Sequence, residues 1–209
     1  MEEIGLTLGL TGGIATGKST VSNMLRVRGA AIVDADRVAR EVVEPGTEGS
    51  REVRKRFGDG VFHVDGKLDR KALREVIFRD PDAREDLNRI LHPLIVRRME
   101  EEVRRARKTD AERPVVLDVP LLIEENLLWM VDTVVLVYIP EPLQLKRLME
   151  REGITTEEAR RMIRAQMPID EKKKFADVLI DNSGTLTETE RQVDALWQTM
   201  VSKNGSGRL

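Results

Sequence analysis

The sequence predicts an α/β protein built on a five-stranded parallel sheet with helices on both faces. Five short apolar runs, rich in β-branched residues, alternate with segments whose apolar residues recur at helical spacing. This alternation is typical of parallel strands joined by helical crossovers. The predicted strands are residues 6–11, 30–33, 114–118, 133–139 and 176–180.

The first interruption of this alternation is a helical insertion at about residues 50–107. It contains several helical patterns and no convincing strand. Asp69 and Asp80 are predicted N-caps, and Pro81 takes a first helical position. We therefore expect this segment to lie beside the sheet.

The second interruption, at about residues 142–175, is predicted to form two helices. The break falls at residues 152–154, and Thr155 with Glu158 fits a capping box that starts the second helix. The pair carries five arginines and is interpreted as a mobile lid.

The predicted organisation is one domain over residues 1–201, followed by a flexible tail at 202–209. The core takes residues of about 1–48, 112–140 and 176–201, the helical insertion about 49–111, and the lid about 141–175.

The composition of the chain restricts the classes of partner and of functional site that it can have. The net charge of −2 gives no global basic field, so neither nucleic acid nor an acidic membrane is an expected partner. The absence of cysteine excludes a disulfide framework, a thiolate zinc site and a cysteine nucleophile. No signal-peptide pattern and no apolar run of about 18–20 residues is present, so a cytoplasmic location is expected.

The strongest motif, G-x-x-x-x-G-K-S, joins the first predicted strand to a helix. Glycines let backbone amides turn inward around a polyanion, and the helix N-terminus adds roughly half a positive charge. Lys18 brings a full charge to the β- and γ-phosphates and is also predicted to be catalytic, while Ser19 offers a hydroxyl to Mg²⁺. The alternative, a glycine-rich turn that binds nothing, leaves the complete pattern unexplained. The predicted ATP-binding residues here are Gly12, Gly13, Ile14, Ala15, Thr16, Gly17, Lys18, Ser19 and Thr20.

Asp34 and Asp36 follow the second predicted strand, at the edge of a parallel sheet where ligands bind. Phosphoryl transfer to an alcohol needs a residue that accepts the hydroxyl proton, and Asp36 is the predicted catalytic base. Arg40 lies one helical turn later and would face an acceptor phosphate. Alternatively, Asp36 is only an N-cap and Arg40 a solvated surface residue.

Asp118 ends the third predicted strand, where an acidic residue commonly holds Mg²⁺ through water. A carboxylate that caps the next turn is the alternative. The apolar residues 120–123 follow, and Leu121 is assigned to the substrate-binding residues, although such a run more often belongs to the core.

The lid arginines include two i, i+4 pairs, Arg147 with Arg151 and Arg160 with Arg164. Arginine binds phosphate bidentately, and Arg147 is the predicted catalytic member. A solvated helical face paired with nearby glutamates is the alternative interpretation.

Residues 181–184 follow the fifth predicted strand, and Asn182 is predicted to contact the adenine of ATP. Thr185 with Glu188 is predicted to cap the last helix. His92 and Pro93 are interpreted as a boundary between two helices of the insertion, and His92 is included among the substrate-binding residues.

These motifs, in this order, resemble the dephospho-CoA kinase family over about residues 6–200. The resemblance is carried by residues 10–20, 33–36 with 39–40, 91–93, 118–124, 144–147, 164–166 and 181–184. One mild departure is Thr16, where the family more often has serine.

The resemblance implies a P-loop kinase fold like that of adenylate kinase, with a nucleotide core, a helical CoA-binding region and a lid. It implies that ATP, with Mg²⁺, phosphorylates the ribose 3′-hydroxyl of dephospho-CoA to give CoA and ADP, the last step of coenzyme A biosynthesis. The family's base corresponds to Asp36 and its lid arginine to Arg147. Oligomeric state stays open.

Two other functions fit the loop. A nucleoside or nucleoside-monophosphate kinase would share the core, the lid and the metal. A GTPase switch would need a guanine-specifying Asn-Lys-x-Asp segment, which the chain lacks after its predicted strands.

Overall fold

A computed structural model describes residues 6–205 of the chain. The strands are β1 (Thr7–Gly12), β2 (Ala31–Asp34), β3 (Val115–Asp118), β4 (Thr133–Tyr138) and β5 (Val178–Asp181). The helices are α1 (Lys18–Val27), α2 (Ala35–Glu41), α3 (Glu48–Phe57), α4 (Arg70–Arg79), α5 (Pro81–Thr109), α6 (Glu141–Glu152), α7 (Thr156–Arg164), α8 (Ile169–Lys172) and α9 (Leu186–Gly205).

The five strands form one parallel sheet in the order β2-β3-β1-β4-β5, which confirms the predicted fold class. β1 lies at the centre, and all six of its residues are buried. Because β1 pairs with both β3 and β4, the loop that leaves β1 emerges beside the carboxyl ends of two neighbouring strands. The observed strand boundaries differ from the predicted ones by one or two residues.

The chain divides into two compact units, one formed by the residues up to Val33 together with those from Arg105 onward, the other by Asp34–Arg104. The first unit contains the sheet. Its core packs β1, β3, β4 and β5 against α1 and α9, through side chains such as Leu10, Leu25 and Val193.

The second unit begins at Asp34 rather than near residue 49, because Val43 packs with Val53, Val61, Leu73 and Leu87 in a core of its own. The stretch before α3 therefore belongs to the helical unit and not to the sheet core.

The predicted caps in the helical unit are confirmed. The Asp69 carboxylate accepts hydrogen bonds from two backbone amides at the start of α4, and that of Asp80 accepts from the amides of Asp82 and Ala83. α5 starts at Pro81, as predicted.

The predicted helix boundary at His92 and Pro93 is wrong, because α5 continues through both residues from Pro81 to Thr109. Proline removes one backbone hydrogen bond from a helix interior. α5 buries Leu87 before the proline and Met99 after it, and this packing on both sides favours one continuous helix.

The two predicted lid helices are present as α6 and α7, but a third, short helix, α8, also lies within the predicted lid segment, which was expected to contain only two. α6 ends at Gly153, which has a φ of 65°, a conformation that glycine adopts without strain. α7 begins with the predicted capping box of Thr155 and Glu158. The two helices pack through Leu148, Ala159 and Ile163.

α9 continues to Gly205, past residue 201 where the domain was predicted to end. The rest of the predicted tail, residues 206–209, and the first five residues of the predicted core lie outside the described residues. Within residues 6–205, no helix has the length and apolar character needed to cross a membrane.

Removing the N-cap of α3 should destabilise the helical unit. The Thr47 hydroxyl accepts a hydrogen bond from the Ser50 amide (3.2 Å) and donates one to the Val42 carbonyl (2.7 Å). We expect Thr47→Ala to lower the free energy of unfolding by about 1 kcal/mol in urea titrations followed by circular dichroism. Thr47→Ser keeps the hydroxyl and is the control. Equal stability of the alanine and serine variants would contradict a capping role.

Candidate active site

The phosphate loop, residues 12–19, leaves β1 and turns into α1. Gly17 is the N-cap of α1 with a φ of 86°, and Ala15 also has a positive φ of 61°. The buried Thr16 hydroxyl donates to the Gly13 carbonyl at 2.8 Å, which closes the turn from inside. Glycine has no side chain that could cap α1, so the helix presents its first amides and its positive dipole end to an anion.

Lys18 and Asp118 form an ion pair at the carboxyl edge of the sheet. Asp118 ends β3 and lies opposite Leu10 of β1, two residues before the loop begins at Gly12. Its carboxylate is largely buried and Lys18 is nearly so, which strengthens their attraction relative to a surface pair. The lysine is thus held at the loop, where its charge can meet a phosphate.

Asn182 supports the loop from the end of β5. Its buried side chain donates to the Thr16 carbonyl at 2.7 Å and accepts from the Thr189 hydroxyl at 2.8 Å. A Cβ atom on Gly17 would lie 2.1 Å from the Asn182 Nδ2 atom, so glycine is required here for space as well as for φ. The Asn182 amide is therefore used to hold the loop, and its predicted contact with adenine stays a prediction.

Two glutamines of the lid hold the peptide groups of Ile14 on both sides. Gln144, on α6, donates from Nε2 to the Ile14 carbonyl at 2.9 Å. The Ile14 amide donates to Oε1 of Gln166 at 2.9 Å. A Cβ atom on Gly13 would lie 2.4 Å from the Gln144 Nε2 atom, so this glycine makes room for the contact.

These glutamines were not identified from their chemistry in the sequence. Each belongs to a segment that carries the family resemblance, but nothing in their spacing relates them to Ile14. The side chains of Ile14 and Ala15 also pack against the lid cluster of Leu148, Ala159 and Ile163. The phosphate loop and the lid helices α6 and α7 are therefore packed together in one hydrophobic cluster.

Arg147 is the predicted lid arginine that reaches this network. Its Nη2 atom donates to the backbone carbonyl of Asn182 at 3.1 Å. Arg151 is paired with Glu152 (2.8 Å) and is exposed. Within residues 6–205, no acidic side chain forms an ion pair with Arg160 or Arg164, which line a surface cavity along α7.

The helical unit carries three of the remaining predicted residues, Asp36, Arg40 and His92. The Asp34 carboxylate accepts hydrogen bonds from the amides of Asp36 (2.9 Å) and Arg37 (3.1 Å), so Asp34 is the N-cap of α2. The alternative in which Asp36 caps the helix is therefore wrong. Asp36 is exposed, and its carboxylate has no hydrogen-bond or ion-pair partner among the described residues.

The two arginines of α2 differ in their surroundings. Arg37 pairs with Glu102 and Glu41, and the hydrogen bond to Glu102 contributes most to raising the pKa of the guanidinium above its usual value. Arg40 is exposed, and the described part of the chain supplies it with no such partner. Arg40 is thus the arginine of α2 that is available to a ligand.

His92 lies half-buried within α5, and Leu121 lies partly buried in the turn after Asp118. The structure therefore brings together residues 12–20, Asp118, Asn182 and Arg147 within the first unit. It places Asp36, Arg40 and His92 in the second.

Mg²⁺ requires oxygen ligands, and the loop region offers two of them. Ser19 is exposed in the first turn of α1, and Asp118 contributes a carboxylate. No cluster of three or more His, Asp or Glu residues that could hold a metal occurs among residues 6–205. Such a sparse set fits Mg²⁺ bound mainly by phosphates and water, since this ion keeps most of its waters in kinase sites.

Comparison with known proteins gives a consistent result. The family model for dephospho-CoA kinase matches residues 6–188. The dephospho-CoA kinase of Geobacillus kaustophilus is 47% identical over 91% of this chain and 94% of its own length. A solved Thermus thermophilus protein is 34% identical, with a TM-score of 0.80, over 94% of this chain and 98% of its own. The dephospho-CoA kinase from Campylobacter jejuni is 27% identical, with a TM-score of 0.73, over 95% and 98%.

Gly17→Ala should impair nucleotide binding by more than backbone strain alone. The added methyl group would meet Asn182 and displace the amide that holds Thr16. We expect the Kd for ATP, measured by calorimetry, to rise at least roughly tenfold, the loss of about one net hydrogen bond.

Gly46→Ala is the matched control for this substitution, since Gly46 has a φ of 88° and no atom within 4 Å of an added Cβ. Its backbone cost should equal that of Gly17→Ala, whereas its Kd for ATP should match wild type. Equal ATP affinities for the two variants would contradict the role assigned to Gly17.

Proposed function

The chain belongs to the dephospho-CoA kinase family, and we propose that its phosphate loop, Asp36 and Arg147 carry the family's reaction in this protein. Members of this family are kinases. The reaction transfers the γ-phosphoryl group of ATP to the ribose 3′-hydroxyl of dephospho-CoA, and it completes coenzyme A biosynthesis.

The ion pair that holds Lys18 beside the loop is the observation that best supports phosphate binding by the loop. The Lys18 ammonium group contacts Asp118 at the edge of β3, beside a loop whose Ile14 and Thr16 carbonyls accept hydrogen bonds from Gln144 and Asn182. Phosphate oxygens can replace the Asp118 contact without moving the lysine far. Preorganised positive charge of this kind stabilises the phosphoryl group in the transition state with little reorganisation.

Asp36 is the proposed general base. The 3′-hydroxyl oxygen bonds to the γ-phosphorus, the hydroxyl proton passes to the Asp36 carboxylate, and the bond from phosphorus to the β,γ-bridging oxygen breaks. ADP leaves with that electron pair. Asp34 supports this role because it caps α2 and leaves the carboxylate of Asp36 free of local hydrogen bonds.

Arg147 is the proposed catalytic arginine. A transferring phosphoryl group carries negative charge on its equatorial oxygens, which a guanidinium can bind through two parallel hydrogen bonds. The contact of Arg147 with the Asn182 carbonyl holds it near the loop. Arg160 and Arg164 provide further charge that closure of the lid would bring to the phosphates while excluding water.

Mg²⁺ is the proposed metal, held by the Ser19 hydroxyl and, through water, by the Asp118 carboxylate. When bound, the ion neutralises developing charge on the β- and γ-phosphates. Lys18 and the loop amides bind and orient the same phosphates.

On the acceptor side, Arg40 is proposed to bind a phosphate of dephospho-CoA, and His92 and Leu121 to contact this substrate. Within residues 6–205, Arg40 has no acidic partner whereas Arg37 has two, and this difference supports the role. Asn182 is proposed to contact the adenine of ATP. We further propose that the helical unit is the CoA-binding region and that the protein acts in the cytoplasm, where ATP is abundant.

Substrate preference tests the function directly. With ATP and Mg²⁺, the purified protein should phosphorylate dephospho-CoA at least roughly 10³-fold more efficiently, in kcat/KM, than AMP, CMP or nucleosides, since a site built around polar groups of its substrate rejects analogues that lack them. Mass spectrometry of the products provides the measurement. A preference for a nucleoside or nucleoside monophosphate would refute the assignment.

Asp36→Asn should lower kcat by roughly 10²–10⁴-fold and leave the Kd for ATP unchanged, because only the proton acceptor is lost. Stopped assays of CoA formation and calorimetry with ATP measure the two quantities. Asp34→Asn is the control, since asparagine caps helices about as well as aspartate and should cost far less activity. A kcat close to wild type for Asp36→Asn would reject the base role.

A further inference from the structure

Lys172 is a fully buried lysine on α8, in the middle of a run of charged residues. Its exposed fraction is 0%. The ammonium group contacts both carboxylate oxygens of Glu124, at 2.8 and 3.1 Å, and donates to the Pro120 carbonyl at 3.2 Å. Lysine is almost never fully buried unless it is paired, so this site needs an explanation.

Glu124 connects the turn after β3 to the chain that leaves the lid. One of its oxygens accepts a hydrogen bond from the Met167 amide at 3.1 Å. The Pro120 carbonyl, which Lys172 also contacts, accepts from the Thr11 hydroxyl of β1 at 3.0 Å. Lys172 thus ties the turn after Asp118 to both β1 and the residues that follow α7.

The residue before Met167 is Gln166, whose side-chain oxygen accepts the Ile14 amide. The backbone at residue 167 is fixed by Glu124, so the position of Gln166 depends on the same contact. A continuous set of contacts therefore leads from Lys172 through Glu124 and residues 166–167 to the phosphate loop.

We propose that Lys172 is a positioning residue that, through Glu124 and Gln166, fixes the phosphate loop at Ile14 in the form that binds ATP. This proposal rests on the proposed function only in that the loop binds ATP. Lys172 lies in the first unit, which also contains the phosphate loop.

A contribution to folding stability alone does not explain why Lys172 and Glu124 form a buried ion pair. Desolvation of two charges offsets most of their attraction, and replacing a buried ion pair by neutral groups of similar volume is often neutral or stabilising. The pair instead fixes an orientation, because the Glu124 carboxylate must accept two contacts from the Lys172 ammonium and one from the Met167 amide at the same time. In that arrangement, Gln166 faces the loop.

The double variant Lys172→Met/Glu124→Gln removes both charges with little change in volume, and it leaves no buried charge unpaired. We expect its Kd and KM for ATP to rise roughly tenfold, as for the loss of one net hydrogen bond to the loop, while the KM for dephospho-CoA changes less than twofold. Calorimetry with ATP alone gives the Kd. Thermal unfolding gives the stability of the same preparations.

The control is Lys174→Met/Glu171→Gln, which removes a neighbouring exposed ion pair of the same kind and should leave the Kd for ATP unchanged. A purely structural role would reduce the active fraction, and hence the apparent kcat, without a selective change in ATP affinity. That result, or wild-type ATP affinity in the Lys172→Met/Glu124→Gln variant, would overturn the proposal.

Gln166→Leu tests the same link without touching the buried pair. It should raise the Kd for ATP about as much, and adding it to the double variant should produce little further loss, because both changes break one set of contacts. Wild-type affinity in Gln166→Leu, or fully additive losses, would overturn the proposal even if the double variant failed to fold. ATP binding without phosphorylation of dephospho-CoA would instead refute the proposed function.

Discussion

The phosphate loop must keep its backbone amides directed inward, and the rest of the first unit is arranged around that requirement. Peptide groups that must stay open to an anion cannot all be paired within the loop, where the Thr16 amide donates to the Gly13 carbonyl at 3.3 Å. Carboxamide side chains from distant segments supply the missing support. Gln144 and Gln166 hold Ile14, and Asn182 holds Thr16.

This arrangement gives the loop glycines a second purpose. Gly13 and Gly17 are commonly explained by the approach of phosphate, yet each also leaves the space that a supporting amide occupies. A side chain at either position would displace the support before any nucleotide arrived. The glycines of the motif are therefore needed for contacts inside the protein as well as for contacts with the ligand.

The sequence was sufficient for features that depend on local periodicity or on capping. The five strands, the break at Gly153 and the capping boxes at Thr155 and Thr185 follow from short-range rules, and all are present.

The helix boundary predicted at Pro93 is wrong because packing by Leu87 and Met99 along α5 outweighs the local signal of the proline. Lys172 could not be recognised, since three consecutive lysines are typical of a solvated surface and burial is a tertiary property.

Asp34 and Asp36 show why the sequence alone could not decide whether Asp36 is a base or only an N-cap. Both follow a strand, and either carboxylate could satisfy the first amides of α2. A carboxylate oxygen that accepts two helix amides is directed at the helix and not at a substrate hydroxyl, so capping and general-base catalysis compete for the same oxygens. The chain resolves the competition with two residues: Asp34 satisfies the helix, and no such bond engages the Asp36 carboxylate among residues 6–205. One aspartate anchors the helix, and the other keeps its carboxylate exposed.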